Sequence, residues 1–188
     1  MLEFITTHLT NGARRLAAAG AMRRLVRQQE GAAAVEFGLV AAPFLALVFA
    51  IMETAVIFFA GQALETAVAD SSRLIMTGQA QTQGMSAATF KNAVCAKIYG
   101  LFDCANGVFV DVQTFTSFNN MTLNNPVDAQ GNFQNNFQYQ PGVQGSIVVV
   151  RLFYQWPVYV SLLGLDMSNM NGGKRLLAAT AAFRNEPY

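Results

Sequence analysis

From Phe37 to Ala60 the chain is almost continuously apolar, and Glu53 is the only charged residue in the run. As an α-helix this stretch rises about 36 Å, slightly more than the roughly 30 Å hydrocarbon core of a bilayer. In lipid every backbone N–H and C=O must be satisfied internally, which a helix does by itself. The run is therefore predicted to be a transmembrane helix, and the rest of the chain must be arranged around it. Pro43 removes one backbone hydrogen bond and should bend the helix locally. Composition agrees: 12% of residues are charged, about half of the roughly 25% in an ordinary soluble domain. A cleaved secretory signal fits poorly, because its apolar region is shorter than this one.

The charges divide unevenly around that run. Residues 1–31 hold Arg14, Arg15, Arg23, Arg24 and Arg27 against Glu3 and Glu30, whereas the charges beyond residue 60 balance. Arginines beside a membrane segment mark its cytoplasmic side. The expected organisation is a basic cytoplasmic leader over 1–31, a transmembrane helix over 32–61 and an exported domain over 62–188. The net charge is +1, so no global field draws in nucleic acid, and none is expected as a partner.

Where leader meets helix the sequence reads Glu30-Gly31-Ala32-Ala33-Ala34-Val35-Glu36-Phe37. Gly31 lacks a Cβ and offers an uncrowded backbone to a protease at the membrane surface. Glu36 is costly at the lip of a membrane helix unless it is paired or snorkelled. It can also be a helix-start acid, since the first turn of a helix favours negative charge. Glu53 is expected to snorkel toward external headgroups or to pair within an assembly; an ion relay is the alternative.

Beyond the membrane run, Leu64, Ala67, Val68, Leu74 and Ile75 continue a helical pattern that Gly78 ends. Ser86–Phe102 reads as a second amphipathic helix, with Ser86 as N-cap and an apolar stripe of Phe90, Val94, Ile98, Leu101 and Phe102. Strands are expected over Val108–Phe115, Ser146–Trp156 and Leu176–Arg184. The Asn/Gln/Gly-rich residues 116–145 read as a long irregular excursion with room for one edge strand. The fold class is α+β: a long N-terminal transmembrane helix extending outward, a second amphipathic helix, and a small antiparallel sheet of about three strands. Cys95 and Cys104 are the only cysteines. In an oxidising compartment they would form a disulfide; the alternative is two buried thiols.

The Gly31 junction resembles the processing site of type IV prepilins. In that family a membrane peptidase cuts after the glycine and leaves the glutamate as fifth residue. With Gly38–Pro43, the run Leu64–Arg73 and the end Ala178–Tyr188, the arrangement resembles TadE-like proteins of tight-adherence (Flp) pilus systems. The resemblance implies a minor pseudopilin in the bacterial inner membrane, with its C-terminal domain in the periplasm. Implied partners are the major Flp-type pilin, other minor pseudopilins, the prepilin peptidase and inner-membrane platform proteins. Gly31 and Ala32 would form the processing site. Glu36, with Phe37 beside it, would serve peptidase recognition or subunit packing by pairing with the new Ala32 ammonium of a neighbour.

No enzymatic activity, cofactor, metal or small-molecule substrate is expected. His8 is the only histidine, and catalysis needs converging groups. Asp103, Asp111 and Asp128 read as solvated loop or strand-end charges. A permanently anchored periplasmic binding module is the competing reading, with Phe133, Phe137, Tyr139, Trp156 and Tyr159 touching a partner or else filling a core.

Overall fold

The computed structural model describes residues 29–98, 100, 102–160 and 166–188. The leader arginines, His8 and Leu101 lie outside the described residues. The first element, α1, is a single helix over Gln29–Met76 that runs through Pro43. The chain divides between Val48 and Phe49 into two compact units.

In the first unit the described residues belong to α1, and none of residues 31–48 is buried. Phe37 is 75% exposed and Leu39 73%. Only 11% of the most apolar eighteen-residue window of α1 is covered by protein. A helix this apolar, and this bare among the described residues, is compatible with a membrane anchor.

The second unit contains the rest of α1, the short helix α2 (Gln79–Thr82), α3 (Ala87–Cys95), α4 (Cys104–Gly107) and three strands, β1 (Val108–Phe115), β2 (Ile147–Pro157) and β3 (Lys174–Arg184). Here α1 buries one face. Ala50, Ile57, Ala60, Leu64, Ala67, Ser71 and Ile75 recur three, four or seven residues apart and are all covered. Gly78 stops this run with a left-handed φ of 77°. The ring of Tyr188 lies where a Cβ on Gly78 would project, and the Glu186 N–H donates to the Met76 carbonyl. The C-terminal end therefore closes over the end of α1.

Ser86 caps α3 as expected, its hydroxyl accepting from the Thr89 N–H. The helix ends at Cys95, however, rather than continuing to Phe102. A turn follows, and Gly100 takes a left-handed φ of 56°, which an α-helix cannot accommodate. The disulfide between Cys95 and Cys104 ties the two sides of that turn together. Phe90 and Val94 of α3 are fully buried, and Ile98 and Phe102 beyond the helix end also pack in or against the core.

The three strands form an antiparallel sheet in the order β1-β2-β3. Strand side chains alternate between faces. Val108 and Val112 of β1 and Val148, Val150 and Leu152 of β2 pack against α1 and α3. Phe109, Asp111, Val149, Arg151 and Phe153 take the opposite face. Val149 and Phe153 are nonetheless buried, because the excursion folds back over them. Phe133 and Phe137 lie on Phe109 and Phe153, with ring centroids 4.8–6.4 Å apart. The excursion also supplies the expected edge pairing in minimal form. Tyr139 bridges Val112 in parallel, with Val112 N–H to Gln138 O and Gln140 N–H to Val112 O both at 2.8 Å. The observed class is α+β.

Candidate functional site

The residues singled out at the membrane junction lie near the start of α1. Gly31, Ala32, Glu36 and Phe37 are all exposed, and among the described residues, the helix's own backbone aside, no atom lies within 4 Å of the position a Gly31 Cβ would take. The backbone at Gly31 is helical rather than extended. Because α1 begins at Gln29, Glu36 sits about two turns into the helix, beyond the first turn where the macrodipole favours a carboxylate.

Glu53 has partners inside its own chain. The Tyr159 N–H donates to Oε1 at 2.6 Å and the Val160 N–H to Oε2 at 3.0 Å. The next residue, Thr54, donates its hydroxyl to the Met167 sulfur at 3.3 Å. Sequence reasoning offered Glu53 headgroups, an assembly partner or an ion relay. The partner amides are separated from it by 106 and 107 residues, and backbone groups leave no mark in a sequence pattern.

A second polar centre lies on the far face of the sheet. Asp111 and Arg151 are cross-strand partners. Both Nε and Nη2 of Arg151 donate to Asp111 Oδ2, at 2.9 and 2.6 Å. Asp111 is fully buried, not a solvated charge. Its Oδ1 accepts the Gln138 N–H at 2.9 Å, and Arg151 Nη1 donates to the Asn124 carbonyl at 2.9 Å. The pair therefore fastens both limbs of the excursion to the sheet. Arg151 also lies 5.2 Å from the Phe153 ring centroid. Alternation in β1 could have placed Asp111 opposite the helix-facing valines, but not beneath a covering loop.

Three further acids have local structural duties. Asp103 caps α4 by accepting from the Asn106 N–H. Asp128 accepts from the backbone of Gln130 and Asn132 and from the side chains of Asn132 and Gln134. Those bonds, first of all the one from the Asn132 N–H, hold its carboxyl below the ordinary carboxylate range. Asp166 is lowered in the same way by the Ser168 N–H. Among the described residues no group of three or more His, Cys, Asp or Glu is placed to hold a metal ion.

Among the aromatics, Phe133 and Phe137 fill the second face of the sheet. Tyr139 packs on Phe90 at 5.6 Å, and Trp156 packs on Phe102 at 5.9 Å. Tyr159 differs, being 82% exposed.

Residues 31–73 match a family model described as TadE-like protein. The match covers the junction, the bare apolar part of α1 and most of the face that α1 buries. No curated protein and no solved structure matches the chain.

Proposed function

We propose, from a chain that is TadE-like over residues 31–73, that it is a minor pseudopilin of a Tad (Flp) pilus assembly system. The family match implies involvement in Tad pilus assembly, and the single apolar helix is compatible with a single-pass membrane anchor. The finer role rests on one observation. The sequence Gly31-Ala32-Ala33-Ala34-Val35-Glu36-Phe37 opens a helix of which no residue from 31 to 48 is buried by the described residues. In this reading residues 1–31 are cytoplasmic, residues 32–61 cross the membrane and residues 62–188 are periplasmic. The prepilin peptidase, meeting Gly31 after local unwinding of the helix end, cuts before Ala32.

Removal of the leader puts Glu36 back into the first turn of the helix, where the macrodipole supports it. The new ammonium at Ala32 pairs with the Glu36 carboxylate of a neighbouring subunit. A buried pair of that kind fixes axial register more than it adds stability. The neighbours are the major pilin or sister minor pseudopilins, and the platform proteins guide insertion.

Mass spectrometry of the mature N-terminus, in cells carrying the peptidase, tests the reading. A chain that begins at Ala32 supports it. A chain that still carries Met1 favours a permanently anchored periplasmic module, the reading suggested by the unbroken helix through Gly31. Glu36→Ala is expected to leave membrane insertion intact and to impair filament formation. Normal piliation in that variant would rule out the pairing.

A further inference from the structure

We propose that the loop Pro157-Val158-Tyr159-Val160 rests on the phospholipid headgroup layer, and that Glu53 marks the level at which α1 leaves the hydrocarbon. This inference rests on the reading of α1 as a membrane helix. The first buried residue of α1 is Ala50, followed by Ile57 and Ala60. From there on the helix carries protein on one face. An irregular segment cannot lie exposed in hydrocarbon, because its backbone groups would go unpaired. The bilayer must therefore end where the loop meets α1, at Glu53, and not at Ala60 as the run of apolar residues suggests. Residues 32–53 rise about 32 Å as a helix, a close fit to a core of roughly 30 Å. Phe58 and Phe59, 67% and 63% exposed, then fall about 8 Å beyond Glu53, at the outer edge of the headgroup layer.

The loop has the chemistry of that layer. Its four side chains are uncharged, and Tyr159 projects an amphipathic ring, the type enriched at membrane interfaces. The amides that would otherwise face lipid are taken up by Glu53: those of Tyr159 and Val160 end on its carboxylate. The Val158 N–H donates to the Gly173 carbonyl, which brings in the start of β3. Lys174 there pairs across the sheet with Pro157 and is exposed. An ammonium beside an uncharged aromatic loop complements lipid phosphate. A water-facing loop would gain nothing from leaving Tyr159 bare while Phe133, Phe137, Tyr139 and Trp156 all find ring partners.

The test uses the full-length chain in phosphatidylethanolamine/phosphatidylglycerol vesicles. Trp156 is the only tryptophan, so Trp156→Phe gives a silent background, with folding checked by circular dichroism. Tyr159→Trp then reports on the loop and Phe44→Trp on the middle of the span. Bromines are placed either near the headgroups or deep in the acyl chains. Fluorescence of Tyr159→Trp should be quenched about twofold more by shallow bromines than by deep ones, and that of Phe44→Trp the reverse. Adding Glu53→Ala should release the loop and reduce the shallow quenching. Quenching of Phe44→Trp without quenching of Tyr159→Trp would overturn the proposal and leave the membrane helix standing; the loop would then face water or a protein. Quenching of neither would bring down the membrane reading, and the proposal with it. Quenching of Tyr159→Trp that Glu53→Ala leaves unchanged would overturn the assignment of Glu53.

Discussion

Asp111 and Arg151 occupy the one place where the far face of the sheet is both charged and dry. Removing one member leaves the other buried without a counter-charge, so Asp111→Ala should destabilise the second unit by about 3–5 kcal/mol. Asp111→Leu with Arg151→Met should cost distinctly less, because neither desolvated charge remains. Thermal unfolding of the three variants measures the difference. Tyr139 presents the opposite case. Its hydroxyl is buried and finds no partner among the described residues, and burial raises its pKa, so it stays a neutral phenol at physiological pH. Tyr139→Phe removes an unsatisfied group and should be neutral or stabilising by about 1 kcal/mol in the same assay. Asp128 carries a pH dependence of definite sign. Its folded pKa lies below its unfolded one, so its contribution is complete above the unfolded value and is lost as pH falls through the folded value. Protection factors of the Gln130 and Asn132 amides, corrected for the intrinsic pH dependence of exchange, should therefore fall only in acid, below about pH 4. A loss of protection on the alkaline side of neutrality would contradict this account.

At the scale of elements, the strands were the most legible part of the sequence. Dense β-branched and aromatic residues placed β1 at its observed bounds and β2 within one residue. The start of β3 was two residues early in the structure, because Lys174 and Arg175 pair with Pro157 and Trp156, a partnership no local pattern encodes. The second amphipathic helix is shorter than its apolar pattern for a related reason. Apolar residues recur at helical spacing as far as Phe102, but Gly100 and the disulfide turn the chain after Cys95. That disulfide closes a short loop. Cys95→Ser with Cys104→Ser is expected to cost about 2–3 kcal/mol, read as a lower denaturant midpoint. The fold should persist, because Phe90 and Val94 hold α3 in the core independently.

For the whole molecule, sequence alone determined the long apolar helix, the charge asymmetry before it and the α+β class. Each follows from local properties: hydropathy over a window, charge count and periodicity. Tertiary structure alone decided that Glu53 binds loop amides, that Asp111 is buried, and that residues 116–145 form a lid on the sheet instead of a free excursion. It also decided that the helix acquires a protein-covered face from Ala50 onward. These outcomes depend on groups distant along the chain, chiefly backbone amides and carbonyls, which every residue carries alike. Hydropathy can say that a stretch avoids water, but not whether lipid or protein replaces the water. That choice is made by what folds back against the helix.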